Sequence, residues 1–280
     1  MVKKSIITLM ICVSLVFFTS KLIAKEYQRI VSLKPNITEI LFELGVGDQV
    51  VGVTTYCDYP AQAQKLPKIG DYTKPFLEKI IAVKPDIVMT SKEQSSRKAI
   101  LELEKIGIKV LLLSFKNLAE TKESIRQIAV LVKAEIRADD IIRQMEETIS
   151  YLKEKWQDQP KKEVLIVWGS KPLVVGGQTS YFNEFLELLG VENVVKSKMA
   201  YPRWSLEQVV LANPDIIMDL SMGSEANISH SQALTYWNNL TNLKAVKNKQ
   251  IYLLNNSLFR PAPKIVAEIS KLAEIIHNNK

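Results

Sequence analysis

The segment LEKIIAVKPDIVM, at residues 77–89, is repeated in the second half of the chain as LEQVVLANPDIIM, at residues 206–218. Leu, Glu, Pro, Asp, Ile and Met stand at identical positions in both copies, and several other positions exchange one aliphatic residue for another. A second pair, TEILFELGVGDQVV at residues 38–51 and NEFLELLGVENVV at residues 183–195, keeps the same order. Two copies far apart, with different spacers, indicate two related lobes rather than a solenoid of short repeats.

Short apolar runs rich in β-branched residues alternate with helical patterns in both halves of the chain. The helical patterns at residues 38–44 and 182–189 are each followed by a glycine, which ends a helix at little conformational cost. Strands that alternate with helices predict parallel sheets. The predicted strands lie at residues 29–33, 50–54, 87–90, 110–114, 164–168, 216–220 and 251–254.

The connection between the two halves has the pattern of one long helix. No Gly or Pro occurs between Gly107 and Pro160. Apolar side chains recur there at steps of three and four, which places them on one helical stripe: Ile142, Met145, Ile149, Leu152 and Trp156. A helix is a stiffer link than a Gly/Ser segment, so the cleft that it spans should close by small angles only.

These patterns predict an α/β protein of two similar lobes with parallel sheets, joined by one long α-helix, with a ligand cleft between the lobes. The length of 280 residues suits two domains of ordinary size. We predict an N-terminal lobe at residues 25–132, a linking helix at residues 133–159 and a C-terminal lobe at residues 160–280.

The first 24 residues have the pattern of a secretory signal peptide. Lys3 and Lys4 precede a largely apolar run at residues 6–18, and Ala24 comes before a polar change. The run is shorter than the roughly 20 residues that a membrane-spanning helix needs, although a permanent anchor remains the alternative. The sequence therefore predicts an exported protein of the periplasm.

The net charge and the cysteine content bear on nucleic acid binding, disulfide formation and lipid attachment. Removal of residues 1–24 takes away three lysines and no acid, so the formal charge falls from +7 to +4, which does not indicate a nucleic acid partner. Cys12 lies inside the predicted signal, and Cys57 alone cannot form an internal disulfide. Cys12 also lacks the small preceding residues of a lipid-attachment site. We expect a freely diffusing monomer.

Each copy of the repeat begins with a helix-start signal and a glutamate. Pro75 precedes the first copy, and Ser205 with Gln208 fits a capping box before the second. Glu78 and Glu207 therefore both occupy a first helical turn. Two interpretations remain open from the residues: the carboxylates complement the helix dipole, or they are matched contact points, one in each lobe, for a symmetric partner.

Several motifs together resemble the vitamin B12 (cobalamin) binding proteins of ABC importers. They are RIVSLKPNITEILFELGVGDQVVGVTTYCDYP, IGDY, the two repeats, YPRW and FRPAPKIVAEI, and they span most of the chain. The wider family also binds iron siderophores and haem, and it has two α/β lobes joined by one long helix. The resemblance implies that cobalamin is a transported ligand, that no cofactor is intrinsic, and that Glu78 and Glu207 dock onto arginines of the permease dimer, which works with its ATPase.

The resemblance also implies ligand contacts from loops of both lobes. Tyr56 and Tyr72 in the first lobe, and Tyr201 and Trp204 in the second, offer aromatic faces that suit a flat corrin ring. The alternative is that these rings fill the cores. Arg260 matches a further cleft position, where its guanidinium could bind an amide or phosphate oxygen. Cobalamin binders carry further aromatic residues where this chain has Ser91, Val174 and Ser257, so another corrinoid, haem or a siderophore stays open.

Metal-dependent and enzymatic functions find little support in the sequence. His230, in a segment that reads as a loop, His277, expected to be exposed, and Cys57 are too few for a His- or Cys-rich metal site. No G-x-S-x-G turn, P-loop or G-x-G-x-x-G pattern after a strand is present. An enzyme on a related metallocluster fold is the alternative of a different class, and it would need more cysteine or histidine ligands.

Overall fold

The computed structural model describes residues 27–71, 74–93, 96–222 and 229–278, and the first lobe within them is built on a four-stranded sheet. All of its pairings are parallel, and the order across the sheet is second, first, third and fourth strand. Each strand lies within one residue of its predicted bounds. The strands are β1 (Ile30–Ser32), β2 (Val50–Val53), β3 (Ile87–Ser91) and β4 (Lys109–Leu113).

The second lobe has a five-stranded sheet that is parallel except at one edge. Its strands are β5 (Glu163–Ser170), β6 (Leu173–Val175), β7 (Glu192–Asn193), β8 (Ile216–Met222) and β9 (Ile251–Asn255). The main path runs β6-β5-β8-β9, and β7 also pairs with β5. The pairing of β5 with β6 is antiparallel, which differs from the predicted parallel sheet. Only Lys171 and Pro172 separate these two strands, and so short a connection permits only an antiparallel hairpin.

Helices cover both sheets and connect the lobes. In the first lobe they are α1 (Pro35–Glu43), α2 (Ala61–Gln64), α3 (Leu77–Ala82), α4 (Arg97–Lys105) and α5 (Leu118–Val132). The linking segment is α6 (Glu135–Trp156). The second lobe has α7 (Tyr181–Leu188), α8 (Leu206–Ala212), α9 (His230–Asn238), α10 (Lys244–Lys247) and α11 (Ile265–Asn278). None of these described helices is long and apolar enough to span a bilayer.

The linking helix α6 runs for 22 residues. Lys133 takes the left-handed conformation, with φ of 56°, and ends α5 just before α6 begins. The predicted stripe faces the core, because Ile142, Met145, Leu152 and Trp156 are all buried. The lobe boundaries at residues 25–132 and 160–280 stay a prediction.

Within the described residues, three apolar clusters form the core, and one of them is common to both lobes. The largest contains Ile40 of the first lobe, Met145 of α6 and Ile166 of the second lobe. The outer face of each sheet has a separate cluster, centred on Ile80 in the first lobe and on Val209 in the second. The lobes therefore share an inner core and keep independent outer layers.

The two repeats have the same backbone design. In both, a residue with positive φ precedes the Pro-Asp pair: Lys84 at 46° and Asn213 at 43°. The following aspartates accept backbone N–H bonds at equivalent places, Asp86 from Gln28 and Arg29, and Asp215 from Glu163. The sequence repeat thus corresponds to a repeated helix, turn and strand in each lobe.

Two expectations about histidines were wrong. His230, expected in a loop, is the first residue of α9, and Ser229 caps this helix with Gln232 in a capping box. His277, expected to be exposed, is half-buried: its ring stacks on Trp156 at 4.1 Å and its Nε2 lies 2.7 Å from the carbonyl oxygen of Leu189. His277 thus contacts the end of α6 and the residue after α7, both far away in the chain, which the local sequence does not reveal.

Candidate functional site

A cavity of about 500 Å³ lies between the lobes, in the size range of small-molecule sites. The first lobe contributes residues that follow the carboxyl ends of β1, β3 and β4, namely Lys34, Asn36, Glu93 and Lys116 among others. The second lobe contributes the end of β5 and the segment after β9. In α/β proteins the crevice at the carboxyl ends of the strands is the usual binding place, and here two such crevices face one cavity.

The two walls of the cavity differ in chemistry. In the part of the first lobe that the structure describes, the lining side chains are mainly polar or charged, and two of them, Lys34 and Lys116, carry positive charge. The second lobe presents aromatic rings: Trp168, Tyr181, Phe182, Tyr201 and Phe259. A ligand that fits both walls needs a flat apolar face on one side and polar groups at its edge.

The aromatic wall is a packed cluster of rings. The Trp168 ring lies 5.2 Å from that of Phe182 and 6.4 Å from that of Tyr201, measured between centroids. Phe182 is buried beneath, whereas Trp168 and Tyr201 keep 39% and 44% of their surface exposed. Tyr181, also behind the wall, packs edge-on against Phe185. Burial raises the pKa of Tyr181, so its hydroxyl stays neutral.

Trp168 was not predicted from the sequence. It lies at the end of β5, where the pairing with β6 shifts by one residue between Val167 and Gly169. Such a bulge changes the direction of the side chain that it carries. Trp168 is the last residue of the strand predicted at residues 164–168, and the sequence pattern predicts no strand at β6, so it carries no signal for the exposure of Trp168.

The four aromatic residues predicted to contact the ligand do not all lie at the cavity. Tyr201 lines the cavity. Tyr56 is half-buried after β2 and does not line the cavity, although its carbonyl oxygen accepts a bond from Arg260 at 3.3 Å. Trp204 is partly buried against the outer core of the second lobe. Tyr72 lies outside the described residues.

Arg260 lines the cavity and also joins the two lobes. Its guanidinium lies 2.5 Å from Asp58 and 3.2 Å from Glu39, both in the first lobe. Lys264 of the second lobe lies 2.9 Å from the other oxygen of Glu39. We call Glu39, Asp58, Arg260 and Lys264 the inter-lobe ion cluster. Burial raises the pKa of Glu39, and the charges of Lys264 and Arg260 oppose this shift.

A second polar contact between the lobes lies at Glu184. This carboxylate, on α7, accepts a 2.6 Å bond from the backbone N–H of Leu118, the first residue of α5. Burial raises the pKa of Glu184, and the bond from Leu118 opposes that shift. A negative group at a helix N-terminus is favourable, so this contact helps to hold the two lobes together beside the linking helix.

Glu78 and Glu207 occupy equivalent positions, the second residue of α3 and of α8, and both are exposed. Ser205 and Gln208 form the predicted capping box of α8. A hydrogen bond to Ser205 lowers the pKa of the Glu207 carboxyl. Helix α3 begins after Phe76, which supplies no side-chain cap.

The described residues contain no cluster of three or more His, Cys, Asp or Glu side chains suited to a metal ion. Cys57 is buried and free, and its sulfur lies 3.2 Å from the hydroxyls of Thr38 and Thr54. Burial raises the pKa of Cys57, so the thiol is held in its unreactive form.

Two curated relatives match nearly the whole chain. The uncharacterized ABC transporter substrate-binding lipoprotein YvrC of Bacillus subtilis (strain 168) is 31% identical over 91% of this chain and 82% of its own length. The vitamin B12-binding protein of Vibrio parahaemolyticus serotype O3:K6 (strain RIMD 2210633) is 28% identical over 94% of this chain and 95% of its own length.

Solved structures show the same architecture. The periplasmic vitamin B12 binding protein BtuF of Vibrio cholerae has a TM-score of 0.77 at 25% identity, covering 90% of this chain and 98% of that one. The periplasmic heme-binding protein RhuT of Roseiflexus sp. RS-1 has a TM-score of 0.81 at 23% identity, and it also covers 90% of this chain and 98% of its own. At this identity the likeness shows a shared fold and nothing about the ligand. The family model described as periplasmic binding protein matches residues 30–258. This chain, with its two α/β lobes and mainly parallel sheets around a cleft, therefore belongs to the periplasmic binding protein family.

Proposed function

We propose that this protein captures cobalamin, or a related corrinoid, in the cleft and delivers it to an ABC importer. The observation that carries the proposal is the cavity with one aromatic and one polar wall, since a corrin ring has a broad face and an edge of polar amide groups. The similarity to vitamin B12-binding relatives over almost the full chain supports the same ligand class.

The proposed role requires binding and release without catalysis. Tyr201 and Arg260 would contact the ligand, and Arg260 would do so while held by the inter-lobe ion cluster. Tyr56, Tyr72 and Trp204 are proposed as ligand contacts from the resemblance alone: Tyr56 and Trp204 do not line the cavity, and Tyr72 lies outside the described residues. No intrinsic cofactor is required.

We further propose a periplasmic location and a permease partner. The signal peptide at residues 1–24, which lies outside the described residues, would direct export of a monomer. Glu78 and Glu207, exposed at equivalent helix starts, would then each meet an arginine of a permease dimer that works with its ATPase. The relative from Bacillus subtilis carries the name of an ABC transporter substrate-binding protein, which supports this class of partner.

Calorimetric titration of the mature protein with cobalamin, haem and a ferric siderophore tests the ligand class. We expect one-to-one binding of cobalamin and weaker or no binding of the others. Binding of haem or the siderophore, without binding of cobalamin, would replace the corrinoid by the alternative ligand class of this fold. An absorbance spectrum of the purified protein addresses the metallocluster alternative, because an intrinsic cluster absorbs before any ligand is added.

A further inference from the structure

We propose that Trp168 is the stacking platform of the cleft, the side chain against which the flat ring of the ligand lies. The inference rests on the proposed function, because it takes the ligand to be a flat conjugated macrocycle. It concerns a residue that neither the motifs nor the repeat singled out.

The exposure of Trp168 is unusual for its position. The four strand residues before it, Val164 to Val167, are buried, and the tryptophans Trp156 and Trp237 are only 5% and 1% exposed. Trp168 is 39% exposed and lines the cavity. Exposed apolar surface inside a concave site forgoes favourable burial unless a ligand covers it. The cavity therefore holds an aromatic surface that is available for a partner ring.

The bulge and the neighbouring rings fix the orientation of Trp168. The extra residue in β5, opposite Val174 and Val175 of β6, is Trp168 itself. Its ring packs at a tilt against Phe182, which is buried, and lies near the ring of Tyr201. A side chain held in this way loses little rotamer freedom on binding, so most of the stacking energy contributes to affinity.

The opposite wall supports the same orientation of the ligand. Lys116, which is exposed, lines the cavity from the first lobe, and its ammonium can donate to amide, phosphate or carboxylate oxygens of a ligand. Among the described residues of the first lobe, one ring lines the cavity, Phe115, and it is buried. A ring stacked on the second lobe turns its other face, and the polar groups that project from that face, toward the first lobe.

The test compares Trp168→Ala, Trp168→Leu and Trp168→Phe by calorimetric titration with cobalamin and with haem. We expect Trp168→Ala to weaken binding about ten- to hundredfold, the range for loss of an aromatic stack. Trp168→Phe keeps a ring and should lose less than about tenfold, while Trp168→Leu, which keeps apolar volume without a ring, should resemble Trp168→Ala. Circular dichroism and thermal unfolding check that each variant folds.

Tyr151→Ala is the matched control. Tyr151 is 49% exposed on the linking helix, outside the residues that line the cavity, and its replacement should leave affinity unchanged. Wild-type affinity in a folded Trp168→Ala variant, or equal affinities of the Leu and Phe variants, would overturn the stacking role alone. If the wild type binds haem instead of cobalamin, the corrinoid proposal fails, and the haem titrations decide the role of Trp168. Failure of the wild type to bind either ring would overturn both.

Discussion

The two copies of the repeat end alike and begin differently. After the helix, both have a left-handed residue, a proline and an aspartate that accepts a backbone N–H bond from the start of the neighbouring strand or the residue just before it. At the start, Ser205 and Gln208 form a complete capping box, whereas Phe76 offers no side-chain cap. The closing turn sets the register of helix against strand, and the opening turn only supplies stability that packing can replace. The two copies therefore share the turn that fixes the fold, and they differ at the helix start, where a cap adds only local stability.

The largest expected loss of stability comes from truncating the buried side chain that the helix of each copy packs against its sheet. Ile80 and Val209 are equivalent and both are fully buried on the outer face of their sheets. Ile80→Ala should lower the free energy of unfolding by about 2–5 kcal/mol, and Val209→Ala by about 1.5–3 kcal/mol, because fewer methyl groups are removed. Chemical denaturation measures both. A larger loss for Val209→Ala would show that the second outer layer is packed more tightly than the first.

The aspartates of the closing turn come next. Asp86 accepts two backbone bonds at 3.2 Å, whereas Asp215 accepts one at 2.9 Å and also pairs with Lys244 at 3.4 Å. Asp86→Ala and Asp215→Ala should each cost about 1–2 kcal/mol, because backbone donors lose a charged acceptor. Unfolding curves of the Ala and Asn variants measure the loss. If both Ala variants are as stable as the wild type, the shared turn is held by the backbone alone.

The opening turns should respond unequally. Ser205→Ala removes the hydroxyl that accepts the Gln208 N–H bond and should cost about 1 kcal/mol. Phe76→Ala, at the equivalent position, removes no cap, and because the ring is about half exposed we expect a smaller loss. The same denaturation experiment compares them. Equal losses would mean that packing of Phe76 replaces the missing cap.

The smallest single effects are expected at the two surface glutamates. Each exposed ion pair with a permease arginine should be worth about 0–1 kcal/mol, so Glu78→Ala or Glu207→Ala alone should reduce transport modestly. Both glutamates belong to one rigid body, so the double variant should lose more than either single one. Transport into membrane vesicles measures docking, and ligand titration should stay unchanged. Normal transport by the double variant would leave only the helix-dipole role.

The sequence predicted the architecture more fully than the site. The repeat, the strand runs and the stripe on α6 are local patterns, and the two lobes and the long helix that they predicted are confirmed. Trp168 was missed because its exposure depends on a bulge against β6, a pairing that local periodicity does not reveal. The ion pairs of Arg260 with Asp58 and Glu39 join residues far apart in the chain, so spacing alone could not predict them.

The common inner core makes the folding of each half depend on the other half. One apolar cluster takes residues from both sheets and from α6, and the inter-lobe ion cluster adds charged contacts across the same boundary. Either half expressed alone would expose the apolar face that the other half covers. We therefore expect the two halves to melt together on heating, in one transition with equal calorimetric and van't Hoff enthalpies.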